Sequence, residues 1–302
     1  MVNKHTALPP AQQKSLKSVR VLSLALNMPG PAALMRCRKM GATCVKLEPP
    51  APPRASGDPM GRYNPAAYAA MHDGVRIMKA DLKSEQGQKA LHRELEKADV
   101  LITSFRPSAL VKLGLAWKTL HKKYPELGMI AIVGAPGERA EEAGHDLTYV
   151  AEQDLVSGLT LPATLYADMG GALMASEAVL QAVMHRRLRE KGIYIEVALS
   201  EAAAFLALPR TWGLTKPGAP VGGGHAGYQV YKCRDGRVAV AALEPHFALR
   251  LCKVAGVADT SADSMATEQT RDLIAAWALG RTRAQLEQLA LEKDIPLHTL
   301  PP

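Results

Sequence analysis

Short apolar runs alternate with helical stretches from about residue 19 to residue 199, and that alternation is the strongest constraint on what this chain can fold into. Val19 to Leu26 is mostly apolar and ends at Asn27-Met28-Pro29-Gly30-Pro31, which reads as a buried strand followed by a turn and a helix start. Ala32 to Met40 follows as a helix, Gly41 stops it, and Ala42 to Glu48 reads as a second strand, completing a βαβ unit. Pro49 to Pro65 is crowded with Pro, Gly and Ser and reads as a loop, after which Ile77 to Lys83 leads into a helix from Ser84 to Lys97. Asp99 to Phe105 and Met129 to Ala135 read as strands on either side of a helical patch at Trp117 to Lys123. Gly144 to Ser157 and Met169 to Arg189 read as helices, and Tyr194 to Leu199 as a further strand. The pattern predicts an α/β fold, a Rossmann-like large domain whose parallel sheet carries helices on both faces.

The composition changes at Thr211 to Gly224, which is rich in Pro and Gly and reads as a linker. Beyond it, apolar runs flank Arg234-Asp235-Gly236, a hairpin signal, and Pro245 to Val254, Thr267 to Leu279 and Thr282 to Lys293 read as helices. The predicted organisation is a polar N-terminal extension over 1–18, a large domain over 19–210, a linker over 211–227 and a small α+β domain over 228–302.

The net charge of +8 admits a polyanionic partner: nucleic acid, a membrane surface or a phosphate-rich small molecule. The three Phe and eight Tyr are scattered rather than interleaved with Lys and Arg, and no nucleic-acid-binding motif occurs, so nucleic acid is not expected. Cys37, Cys44, Cys233 and Cys252 lack CxxC spacing and clustered His, which argues against a zinc site or a disulfide framework and for reduced, cytoplasmic thiols. The first eighteen residues lack the apolar run of a signal peptide, and no segment reaches membrane-spanning length, so a soluble protein without a membrane partner is expected. The basic run His185-Arg186-Arg187-Leu188-Arg189 reads as a solvated helix end that complements the helix dipole.

The first strand-helix turn is not GxGxxG, which disfavours a dinucleotide, and the chain has no GxxxxGK[ST], HExxH or GxSxG. What it does contain, in order, is Gly41-Ala42-Thr43-Cys44-Val45-Lys46-Leu47-Glu48-Pro49, Ala80-Asp81-Leu82-Lys83-Ser84, Ala98-Asp99-Val100-Leu101-Ile102, Phe105-Arg106-Pro107, Lys112-Leu113-Gly114-Leu115, Gly144-His145-Asp146, Ala167-Asp168-Met169-Gly170-Gly171 and Leu243-Glu244-Pro245-His246-Phe247. In that order and spacing the phrases resemble the family III CoA-transferases (the CaiB/BaiF type), from about Val19 to Asp294. Gly144-His145-Asp146, Ala167-Asp168 before Gly170-Gly171, and the acidic residue of Leu243-Glu244-Pro245 resemble the α-methylacyl-CoA racemases within that family.

The resemblance implies an enzyme acting beside the carbonyl of an acyl-CoA thioester, with CoA present as part of the substrate and no separate cofactor or metal. It implies that His145 with Glu244 forms one acid/base pair and Asp168 the other. Inverting a carbon next to a thioester carbonyl needs a base on one face and a protonated group on the other, and the enolate between them needs hydrogen-bond donors. An imidazole changes charge near neutrality, whereas Asp168 would need burial to raise its pKa. For CoA, the resemblance implies Lys46, Lys83, Arg106 and Lys112 as cationic or contacting positions and Ala80, Leu82, Asp146 and Tyr149 as neighbouring wall positions. It also implies an interlocked homodimer, in which Glu244 faces His145 of the partner chain. Two other readings stay open: a CoA-transferase with Asp168 as nucleophile, and a catalytically impaired acyl-CoA-binding relative. Taken singly, Asp168 reads as a helix N-cap, Glu244 as a first-turn acid and Gly222-Gly223-Gly224 as a plain linker. The chain departs from the family at Met71-His72-Asp73-Gly74-Val75-Arg76 and Cys37-Arg38-Lys39, and it stops at Pro302, where family members continue with a return segment.

Overall fold

The computed structural model describes residues 14–52, 55–261 and 263–302. Most of the stretch read as a polar extension, 1–13, therefore lies outside the described residues; of the remainder, Leu16 is fully buried in the core. The chain divides after Ala207 into two compact units.

The first unit is built on a six-stranded sheet: β1 (Arg20–Ser23), β2 (Thr43–Glu48), β3 (Arg76–Lys79), β4 (Val100–Thr103), β5 (Gly128–Val133) and β6 (Tyr194–Ala198). Every neighbouring pair is parallel and the order is β3-β2-β1-β4-β5-β6. The helices are α1 (Pro29–Lys39), α2 (Met60–Tyr63), α3 (Pro65–Met71), α4 (Glu85–Leu95), α5 (Pro107–Lys112), α6 (Trp117–Lys123), α7 (Asp146–Glu152), α8 (Tyr166–Arg189) and α9 (Leu199–Leu206). Successive strand residues point to opposite faces, and both faces are covered. Val21, Ile102 and Ile130 pack with Ala33, Ala175 and Val179, whereas Leu22, Val45, Leu101 and Met129 pack with Leu91, Leu95 and Leu120. Central strands buried on two sides read as continuous apolar runs, which is why the sequence announces them so clearly. Strand β3 lies at the sheet's edge with an exposed or half-buried pattern, in a stretch that the sequence marks only as the lead into a helix.

The strand order reverses between β1 and β4, and in open parallel sheets the crevice at the carboxyl ends of such strands is where ligands bind. Helix α8 packs on β5 and β6. It begins at Tyr166, three residues earlier than expected, so Asp168 lies inside the first turn rather than capping it. The small residues Ala167, Gly170, Gly171, Ala172 and Ala175 are buried and let α1 and α9 approach closely.

The second unit holds an antiparallel sheet of β7 (Tyr228–Cys233), β8 (Gly236–Ala241) and β9 (Leu297–Leu300) with α10 (Leu208–Thr211), α11 (Pro245–Ala255), α12 (Glu268–Leu279) and α13 (Arg283–Lys293). Cys233 pairs with Gly236, leaving Arg234-Asp235 as the hairpin loop, and Asp235 Oδ1 accepts the Arg283 N–H at 2.7 Å. Val238, Val240, Leu251, Ile274, Trp277 and Leu286 form the core. Thr267 and Thr282 cap α12 and α13 with their hydroxyls, each contribution being about 1 kcal/mol. Strand β9 was not anticipated from the sequence.

All four cysteines are free and buried. Burial pushes the Cys37 and Cys44 thiols up to about 12, so both act as packing groups rather than as nucleophiles.

Candidate active site

At the carboxyl end of the sheet, a cleft of about 200 Å³ gathers residues that follow successive strands: Leu26 and Asn27 after β1, Phe105 and Arg106 after β4, Gly134 after β5. His145, Tyr149 and Asp168 line it too, so two of the three candidates for acid/base work share one cavity. His145 has extended backbone (φ −143°, ψ 168°) at the start of α7. The Thr148 hydroxyl accepts its N–H at 3.2 Å, and its carbonyl accepts the Thr148 N–H at 2.8 Å, so the turn fixes where the imidazole emerges. Asp146, only 5% exposed, accepts the Asp168 N–H at 2.9 Å and so ties the first residue of α7 to the first turn of α8. Tyr149 is buried beneath: a Cβ on Gly134 or Gly144 would come within 2.2 or 2.4 Å of its hydroxyl oxygen, so both positions require glycine.

Asp168 is half-buried. Burial and, secondarily, the Asp146 charge push its carboxyl up to about 6, against an opposing pull from His145. Burial also raises the Tyr149 phenol, with Asp168 adding to the shift, so Tyr149 stays neutral. A carboxyl that releases its proton near pH 6 can both hold and accept one under ordinary conditions.

Phe105 also lines a second pocket, of about 180 Å³, with Pro49, Pro50, Ala80, Leu82, Lys83 and Leu113. Leu82, Lys83 and Leu113 in turn border an open pocket of about 580 Å³ that reaches Gln88, Lys112 and Gly114. Three adjoining hollows thus run from His145 and Asp168 to two exposed ammonium groups, with apolar walls between. Apolar walls with cations at the open end suit a ligand that is flat at one point and phosphorylated at another.

Lys46 stands apart from that track. Its side chain is wholly buried, its ammonium 3.2 Å from Glu48 Oε1, 3.0 Å from His72 Nε2 and in short contact with Asp58 Oδ2. It therefore has no face toward a phosphate, a correction to its expected place among the contacting cations. His72 Nδ1 lies 2.6 Å from the Tyr68 carbonyl oxygen, which makes Nδ1–H the donor and leaves Nε2 to accept from Lys46. Burial and the Lys46 charge lower the His72 pKa, in keeping with that neutral tautomer. Glu48 loses hydration, but hydrogen bonds from the Ser56 and Tyr68 hydroxyls and the Lys46 charge outweigh that and lower its pKa. Ligand atoms of Glu48, Asp58 and His72 lie within 4.8 Å of one another, yet a metal ion there would have to displace the Lys46 ammonium.

Glu244 belongs to the second unit, where it is exposed and its carbonyl accepts the Phe247 and Ala248 N–H groups at the head of α11. The residues that line the cleft all belong to the first unit. The Gly222-Gly223-Gly224 segment is pinned within the second unit, where the Gly223 carbonyl accepts from Gln229 Nε2 at 2.7 Å and from Arg271 at 3.1 Å. Sequence reasoning did not single out Asn27, Asp58 or Tyr63. The available signal was an asparagine, rather than glycine, in the tight turn after β1.

No helix among the described residues is long and apolar enough to cross a membrane. The model of CoA-transferase family III matches residues 16–300. Human α-methylacyl-CoA racemase is 30% identical over 261 residues, covering 80% of this chain and 65% of that protein. Cinnamoyl-CoA:phenyllactate CoA-transferase of Clostridium sporogenes is 32% identical over 213 residues, 60% of this chain and 52% of that protein. The chain thus spans less than two thirds of the length of these relatives. Among solved structures, the hypothetical protein Rv3272 of Mycobacterium tuberculosis superposes with a TM-score of 0.80 at 22% identity, over 93% of this chain and 84% of that one. A CaiB/BaiF family protein from Brucella suis gives 0.77 at 24% identity, over 95% and 84%, and both likenesses concern the fold. With its sheet order, its crevice and a family match over nearly its whole length, the chain belongs to CoA-transferase family III.

Proposed function

We propose that the protein is an acyl-CoA racemase or epimerase that moves a proton onto and off the α-carbon of a 2-methylacyl-CoA thioester. The observation that carries this reading is the convergence of His145 and Asp168 on one cleft, with Asp168 holding its proton up to about pH 6. In one direction the His145 imidazole takes the α-proton and the Asp168 carboxyl returns one on the opposite face; in the other direction the roles exchange. Such a reversible exchange requires a base on one face of the carbon and a proton donor on the other. Lys83, Lys112 and Arg106 would meet the phosphates, and the slot beside Ala80 and Leu82 would take the base. The likeness to human α-methylacyl-CoA racemase supports the choice.

The second reading, favoured by the 32% identity to a CoA-transferase, makes the Asp168 carboxylate a nucleophile that attacks the donor thioester, forms a mixed anhydride and expels CoA thiolate. Incubating the protein with a 2-methylacyl-CoA in deuterium oxide, with no acceptor acid, separates the two. Racemase chemistry incorporates one α-deuterium, whereas transfer gives no incorporation and inactivation by hydroxylamine at Asp168.

A further inference from the structure

Asn27 lies in the turn between β1 and α1 with φ +63°, a left-handed conformation that asparagine adopts more readily than most residues but that still has to be held. It is held by a buried charge. The Asn27 N–H lies 3.1 Å from both carboxylate oxygens of Asp58. Asp58 is itself fully buried, bound to the Lys46 ammonium and accepting the Met60 N–H at 2.9 Å. A wholly buried carboxylate is costly unless its partners are fixed, so this clamp sets the position of the Asn27 backbone firmly.

Asn27, so placed, lines the cleft of His145 and Asp168. The Tyr63 hydroxyl makes a long contact, 3.5 Å, to Asn27 Oδ1, which leaves Nδ2 as the carboxamide's donor. Among the described residues no hydrogen bond from Nδ2 to a protein acceptor is present. The geometry points to Asn27 as a further binding residue of this cleft, its Nδ2–H donating to the thioester carbonyl oxygen, with Asp58 as the residue that positions it. The inference rests on the acyl-CoA reading, but not on the choice between racemase and transferase. A neutral amide is suited to the task because it gives a hydrogen bond that strengthens as negative charge gathers on the oxygen, and it does not compete for the migrating proton.

The test compares two ligands that differ only at that oxygen: a 2-methylacyl-CoA thioester and the matching S-alkyl-CoA thioether, titrated calorimetrically into the whole protein. One net hydrogen bond predicts that the wild type favours the thioester by about tenfold. Asn27→Gly, which accepts positive φ freely, and Asn27→Asp, which keeps the shape without the donor, should reduce that preference to about twofold or less. Retention of the wild-type preference in Asn27→Gly would assign Asn27 to the turn alone and overturn the inference. Equal binding of both ligands by the wild type would do the same while leaving the acyl-CoA reading intact. Failure of the wild type to bind either would bring down the acyl-CoA reading itself, and this assignment with it.

Discussion

Two ionisable clusters lie in the same unit, each with two carboxyl groups and an imidazole, and they differ in whether their charges are matched. Around Lys46, two carboxylates and a neutral imidazole surround one ammonium, every member is buried, and hydroxyls and backbone N–H groups complete the shell. Around Asp168, a half-buried carboxyl has a second carboxylate, Asp146, as neighbour and shares an open cleft with the exposed residue His145. The first cluster lowers the pKa of its carboxylate Glu48 and serves structure; the second raises the pKa of its carboxyl and leaves it ready to exchange a proton. Burial alone does not separate the two roles, because a carboxylate at each site loses hydration. What separates them is whether a cation and donors replace the lost water.

The largest expected effect of breaking this contrast is at the open site. Asp168→Asn or His145→Gln should lower turnover of a 2-methylacyl-CoA about 10²- to 10⁴-fold, with circular dichroism and the unfolding transition retained. A loss below about tenfold in either variant would remove that residue from the acid/base pair. At the closed site the cost should fall on stability instead. Lys46→Met leaves Asp58 and Glu48 without their cation and should destabilise the fold by about 3–5 kcal/mol in denaturant titration.

The contrast sharpens with pH. The folded state binds the Asp168 proton more tightly than the unfolded chain, whose carboxyl releases it near the ordinary 3.8, so stability falls as pH rises through the interval between 3.8 and about 6 and stays lowered above it. Asp168→Asn removes that penalty. It should raise stability by about 1–2 kcal/mol at pH 8 and lose the advantage below about pH 4, as read from melting curves across pH. A variant less stable than the wild type at pH 8 would contradict the assignment of strain to this carboxyl. The smallest effects belong to the outer cations. Lys83→Ala and Lys112→Ala should each weaken CoA binding by about three- to tenfold, less so at high salt, because both ammonium groups are exposed.

Much of this was legible in the sequence where the signal was local. Buried central strands are continuous apolar runs, and the turn at Arg234-Asp235 has its own residue chemistry, so β1, β2, β4 to β6 and the hairpin could be read directly. Edge strand β3 and terminal strand β9 are short and half-exposed, and only their neighbours reveal them. His145 and Asp168 were found through motif resemblance, and their shared cleft emerges only when α7 and α8 are folded together. The resemblance implied Lys46 as a CoA contact, and a lysine in a strand carries no mark of burial that would have argued against it. Its partners, Asp58 and His72, come from a loop and a helix end well downstream. Asn27 shows the same limit: its identity hinted at a left-handed turn, but the carboxylate that holds it lies 31 residues away in sequence.

The central claim, two groups serving opposite faces of one carbon, is tested most directly by following α-hydrogen exchange in deuterium oxide with each enantiomer of a 2-methylacyl-CoA separately. With one base removed, His145→Gln should exchange only one enantiomer and Asp168→Asn only the other, while the wild type exchanges both. Exchange of the same enantiomer by both variants, or of neither enantiomer by the wild type, would contradict the account.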